Sequence, residues 1–173
     1  MPTYFIGYPA PLRRFDEFIE EPYKPIPLNQ RHLTLLYLGH LRNREKKMLV
    51  DKAERGPVKI GVIEVCFKSL EAYPSRAKPR YIAVIPTPGC VAKLHKVRKV
   101  LGYVFGVYVK DRYEEFRPHV SIAYTRCKPS LELQEKALKI VKKCRGVEEK
   151  LILRKLCLFK AEKGFITPIF SFG

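Results

Sequence analysis

HLTLLYLG, residues His32–Gly39, decides how this chain folds and what it can do. Four leucines and a tyrosine in eight residues suit a strand with a buried face, and the glycine ends it. His32 and Thr34 stand two residues apart, so a strand points an imidazole and a hydroxyl to the same side. The pattern of histidine, apolar residue, Ser or Thr, and aliphatic residue returns in HVSIAYTR at residues 119–126, with His119 and Ser121 in the same relation. Only four histidines occur in the chain, and two of them sit in this setting. Their separation, 119 − 32 = 87 residues, is close to half of the 173.

Elements read outward from these two stretches support a repeat. A short strand is expected over 3–8, then a helix carrying Leu12, Phe15 and Ile19 that ends at the proline-rich stretch 22–27. After the first motif a helix follows from Asn43 as cap to Gly56 as stop. Strands over 58–67 and 80–86 flank a loop holding Tyr73, Arg76 and Lys78. A helix over 90–103 then presents Val91, Leu94, Val97 and Leu101. After the second motif, Ser130 caps a helix with Leu131, Leu138 and Val141 aligned, and Gly146 stops it. LILRKLCLFKAEKG then turns back into FITPIFSF. The 87-residue offset carries the helix at 43–56 onto 130–143 and the strand at 80–86 onto 167–173. The expectation is one α+β domain over residues 1–173, made of two duplicated lobes.

Composition narrows the classes. At this length, 46% hydrophobic residues build one core, and no apolar run approaches the roughly 20 residues of a membrane-spanning helix. The first residues lack a basic stretch followed by a long apolar one, so no secretory signal is expected. Five cysteines, Cys66, Cys90, Cys127, Cys144 and Cys157, have irregular spacing and no zinc-ligand pairing, as in reduced thiols of a cytoplasmic protein. Lys and Arg number 34 against 17 Asp and Glu, a net +17 that nucleic acid exploits through counterion release. With only four amide side chains, the composition also points to a heat-adapted source.

Two imidazoles and two hydroxyls facing each other across a cleft suit attack at phosphorus. One base takes the proton of the nucleophile, one acid protonates the leaving oxygen, and hydroxyl donors hold the non-bridging oxygens. Histidine serves both proton roles near neutral pH. His40 and His95 read as solvated surface side chains, and Lys46, Lys47, Lys139, Lys142 and Lys143 as solvated helix faces. Arg76, Lys78 and Arg80 interleave with Tyr73 and Tyr81, a combination that grips RNA phosphates and bases.

The paired motifs, with FRPHVSIAY at 116–124 and KPRYIAV at 78–84, resemble the two-histidine phosphoesterases, specifically the LigT-like RNA 2′,3′-cyclic phosphodiesterases, or 2′-5′ RNA ligases. The resemblance covers most of the chain. It implies a two-lobed pseudo-symmetric α+β fold, each lobe an antiparallel sheet with flanking helices, around a central V-shaped cleft. It implies no metal and no cofactor. His32 and His119 become the catalytic pair, Thr34 and Ser121 the phosphate-binding hydroxyls, and Tyr37 and Tyr124 the residues flanking the nucleobase. Strand parity alone turns these tyrosines away from the histidines unless a bulge intervenes. The chain departs from the family's pattern at Tyr124, commonly Arg, at His40, commonly Glu, and at Ala83, commonly Trp. Arg117 or Arg126 then supplies the cation that Tyr124 lacks.

The resulting expectation is opening of terminal cyclic phosphates to 2′-phosphates, with 2′-5′ ligation in reverse. By resemblance His119 leans to base and His32 to acid, although the likeness of the motifs leaves the roles exchangeable. Partners are RNA ends bearing a 2′,3′-cyclic phosphate, such as tRNA fragments, met by a monomer with no membrane association. The competing readings are a non-catalytic RNA-binding protein, a 3′-5′ RNA exonuclease and a phosphodiesterase for small cyclic nucleotides.

Overall fold

A computed structural model describes residues 1–56, 58–109 and 115–172. Gly173, where the offset copy of 80–86 ends, lies outside them. Nine strands and three helices are described: β1 (Thr3–Pro9), β2 (Lys24–Pro25), β3 (His32–Gly39), α1 (Asn43–Arg55), β4 (Ile63–Tyr73), β5 (Tyr81–Pro86), α2 (Pro88–Phe105), β6 (Val120–Tyr124), α3 (Leu131–Lys143), β7 (Glu149–Leu153), β8 (Cys157–Glu162) and β9 (Phe165–Ser171). They form the two antiparallel sheets of the expected α+β fold, ordered β3-β1-β8-β9 and β2-β6-β5-β4-β7.

Each sheet draws strands from both halves of the chain. Strands β8 and β9 join β3, whereas β4 and β5 join β6, so the lobes are interleaved. The 87-residue offset superposes β3 on β6 to within two residues and α1 on α3 to within one, but it carries β5, which pairs with β6, onto β9, at the far edge from β3. One large core runs beneath both sheets, and Ile6, Leu33, Phe67, Val84, Phe105, Ile122 and Ile140 are all fully buried in it. Each contributes about 1.5–3 kcal/mol through burial.

Several elements differ from the sequence expectations. The helix expected around Leu12, Phe15 and Ile19 is a single 3-10 turn, Asp16–Phe18. Leu12 and Phe15 are fully buried, but the backbone serves tertiary partners. The amides of Arg13 and Arg14 donate to the Glu149 carboxylate (2.9 and 3.1 Å), and the Leu12 carbonyl accepts from Arg31. Strand β4 begins at Ile63 rather than 58 and continues to Tyr73, because β7 is available to 63–67 and β5 to 67–73. Tyr73 is therefore a strand residue.

Asn43 is the first residue of α1 rather than its cap, and the Glu45 carboxylate accepts from the Arg42 amide (2.6 Å). Ser130 caps α3 as expected, its hydroxyl accepting from the Leu133 amide (3.1 Å). The inward face of α3 is Leu133, Ala137 and Ile140, leaving Leu131 77% and Leu138 42% exposed. A helix with leucines on two sides buries the one where alanine permits close approach. The run LILRKLCLF breaks at 154–156 and crosses from one sheet to the other. The β8–β9 hairpin turns at Lys163 and Gly164, both at positive φ (50° and 82°), as a two-residue type I′ turn requires.

Candidate active site

The two motif strands carry the same irregularity at the same place. Strand β3 pairs with β1 as Gly7↔Thr34, Ile6↔Leu36 and Phe5↔Tyr37, leaving Leu35 as an extra residue. Strand β6 pairs with β5 as Ala83↔Ser121, Ile82↔Ala123 and Tyr81↔Tyr124, leaving Ile122 extra. Leu35 and Ile122 are again 87 positions apart. Each bulge reverses strand parity. Leu35–Leu36 and Ile122–Ala123 are consequently buried in succession, while Tyr37 is exposed and Tyr124 half-buried. Both tyrosines thus share a face with the histidine and hydroxyl of their strand. The Leu35 carbonyl, at the bulge, accepts from Arg98 Nε of α2 (3.1 Å). Gly7 stands opposite Thr34, where a Cβ would run into the Leu33 carbonyl, so only glycine lets β1 approach the motif strand this closely.

Both imidazoles are held in the same way. His32 Nδ1 meets the Gln30 carbonyl at 2.9 Å and His119 Nδ1 meets the Arg117 carbonyl at 2.8 Å, each two residues back along the chain. A carbonyl only accepts, so Nδ1 carries the proton and Nε2 is left for chemistry. Aromatic rings fix the planes. Phe5 lies 4.8 Å and Phe159 6.2 Å from the His32 ring, and Tyr73 stacks on His119 at 4.0 Å. The Arg117 guanidinium is 5.8 Å from the Tyr73 ring and 3.4 Å from Glu71. A hollow of about 190 Å³ beside His119 is lined by Glu71, Tyr73, Phe116 and Arg117.

Burial pulls the His32 pKa below the ordinary histidine value, the Gln30 carbonyl opposes this, and the charge of His119 lowers it further. Burial also lowers His119; the Arg117 carbonyl acts upward, the Arg117 guanidinium downward and Glu71 upward.

The other expected contact residues are dispersed. Arg117 reaches the hollow beside His119. The Thr125 amide donates to the Arg80 carbonyl (3.0 Å), bringing Arg80 and Arg126 to the tyrosine end of β6, with the Arg80 guanidinium 5.7 Å from the Tyr81 ring. Arg76 instead lines a groove of about 580 Å³ between β4 and α3, which shares Glu71 and Arg117 with the hollow. Lys78 is exposed on the 74–80 loop, its amide donating to Ser75 Oγ (3.2 Å). His40 and His95 are exposed, as expected. Sequence reasoning missed Phe5, Phe159, Glu71, Gln30 and Arg98. Only Phe5 carried a signal, as an aromatic within the first strand. Ala83 lies in register with Ser121, and the ring against His119 comes from Tyr73 on β4.

Among the described residues no helix is long and apolar enough to cross a membrane, and no three His, Cys, Asp or Glu side chains converge as metal ligands. A family model described as the 2′-5′ RNA ligase superfamily matches residues 9–164. Curated proteins include no match. Among solved structures, TT0787 of Thermus thermophilus superposes with a TM-score of 0.66 at 17% identity, covering 98% of this chain and 96% of that one. E. coli LigT complexed with 3′-AMP superposes with a TM-score of 0.66 at 14% identity, covering 99% and 97%.

Proposed function

The chain belongs to the 2′-5′ RNA ligase superfamily, and from that premise we propose that it opens 2′,3′-cyclic phosphates at RNA ends to 2′-phosphates. The observation that carries this reading is the pair of half-buried imidazoles, each locked through Nδ1 and offering Nε2 beside a Thr or Ser hydroxyl. Water attacks phosphorus in line with O3′ and gives its proton to one Nε2, while the other imidazolium protonates O3′ as the P–O3′ bond breaks. Thr34 and Ser121 donate to the non-bridging oxygens. Base at His119 and acid at His32 follow the family resemblance. A 5′-hydroxyl in place of water gives a 2′-5′ bond by the same proton transfers. Tyr37 and Tyr124 flank the terminal base, and Arg117, Arg80 and Arg126 meet phosphates. E. coli LigT, which has the same fold, crystallised as a complex with 3′-AMP, which supports a nucleotide as the ligand class proposed for this chain. Five unpaired cysteines suit a reducing cytoplasm, and RNA fragments such as those cut from tRNA are the substrates that this reading proposes.

The test is turnover, in the presence of a chelator, of an oligonucleotide ending in a 2′,3′-cyclic phosphate beside the corresponding cyclic mononucleotide. The oligonucleotide is expected to have the higher kcat/KM. Equal values would indicate a small-molecule enzyme, stepwise shortening an exonuclease, and salt-dependent binding without product a binding protein.

The lowered histidine pKa values set a pH window. The acid is lost as pH rises through its pKa, and the base as pH falls through its own. With both below the usual value near about 6.5, kcat/KM peaks on the acid side of that value. The bound phosphate anion favours the imidazolium, so the kcat optimum lies at higher pH than that of kcat/KM. Rate profiles from about pH 4 to 9 check this; a kcat/KM that still climbs above about pH 8 contradicts it.

A further inference from the structure

We propose that Gln30 is a positioning residue for His32: its side-chain amide closes the four-stranded sheet onto the turn that precedes β3, and so fixes the carbonyl that sets the His32 tautomer. The proposal deepens the catalytic reading given above and rests on it only for its activity arm. In the sheet order β3-β1-β8-β9, β9 is three strands away from β3, roughly 14 Å in a flat sheet. Yet the Ile166 amide of β9 donates to Gln30 Oε1 at 2.7 Å, and Gln30 Nε2 donates to the Ile166 carbonyl at 3.1 Å. The sheet is curled until its two ends meet across a single side chain.

The chemistry of the clamp requires an amide. It satisfies one donor and one acceptor of the same edge-strand residue, which β8 leaves unpaired, whereas a carboxylate has no donor for the Ile166 carbonyl. The chain on either side is also held. Arg31 is 3% exposed, and its guanidinium reaches the Leu12 carbonyl, the Ile26 carbonyl (2.8 Å) and the Asp16 carboxylate (2.7 Å). The Gln30 carbonyl between these anchors has little freedom, and His32 Nδ1 binds it at 2.9 Å. The small cluster of Phe5, Cys157 and Phe159, with Ile166 packed against it, places its rings against the same imidazole. Among the described residues His119 has no such clamp: Arg117, at the matching position, pairs with Glu71 (3.4 Å) at the surface.

Nitrogen NMR of the imidazoles in the full-length protein, at a pH where both are neutral, tests the proposal without reference to activity. Wild-type His32 is expected as the single Nδ1–H tautomer. Gln30→Glu and Gln30→Ala should each convert it to a mixture, with the His119 signals unchanged. On a cyclic-phosphate-ended RNA, kcat should fall about tenfold or more with KM nearly constant, because a histidine of uncertain tautomer loses its proton role. Ile166→Pro removes the partner amide on an outward-facing edge, where proline is tolerated, and should reproduce the tautomer change with Gln30 intact. A wild-type Nε2–H tautomer, an unchanged His32 in the folded variants, or an equal disturbance of His119 overturns the proposal. If the protein lacks phosphodiesterase activity, the catalytic reading fails while the tautomer result still decides the role of Gln30.

Discussion

Alanine at His119 or at His32 lowers single-turnover opening of a cyclic-phosphate-ended RNA by about 10²–10⁴-fold, the range of a positioned acid or base. Each imidazole is half-buried and donates one hydrogen bond, to a carbonyl two residues away. Its removal leaves a space that water fills, so the variants keep their melting temperature within a few degrees. RNA affinity is expected to change little, because the proposed contacts to phosphates and bases lie on other side chains. The losses do not add: with one proton transfer gone, the second histidine has less to do, and the double variant is only modestly slower than the worse single one. Rapid-quench rates beside fluorescence anisotropy of the bound RNA measure both quantities. Undiminished turnover in either variant removes that histidine from the chemistry.

The hydroxyls come next in size. Thr34→Val keeps the β-branched shape and strips one donor, and Ser121→Ala does the same at the other strand. Each should cost about 10²–10³ in kcat, the effect of removing one donor to a developing oxyanion. Because charge on the non-bridging oxygens grows toward the transition state, the loss falls on kcat and leaves KM nearly unchanged. A rise in KM alone would assign these hydroxyls to ground-state binding. Gly7 shows how closely β1 approaches the backbone that carries Thr34, since a Cβ at position 7 would run into the Leu33 carbonyl.

The motif strands were legible because strand periodicity and the pairing of histidine with hydroxyl lie within three residues. The helix cap at Ser130 and the inward residues Leu94 and Leu101 of α2 follow equally local rules. The bulges at Leu35 and Ile122 do not, because a bulge is defined by the partner strand and the sequence does not name the partner. They decide the faces of Tyr37 and Tyr124. The interleaving of lobes was hidden for the same reason: an offset compares neighbours along the chain, whereas β8 finds β1 across more than a hundred residues and carries β9 with it. The supports of the histidines, Phe159 and Tyr73 among them, belong to distant strands and reach the imidazoles only after folding. The missing helix near Leu12 shows that apolar spacing marks burial without fixing the backbone, which Glu149 and Arg31 shape instead.

The central claim is that two histidines direct attack at phosphorus so that O3′ leaves. It is tested most directly by incubating an RNA ending in a 2′,3′-cyclic phosphate with the protein in chelator and identifying the terminal phosphate by phosphorus NMR and phosphatase mapping. The account predicts a 2′-phosphate beside a free 3′-hydroxyl. A 3′-phosphate, or an unopened ring, would contradict it.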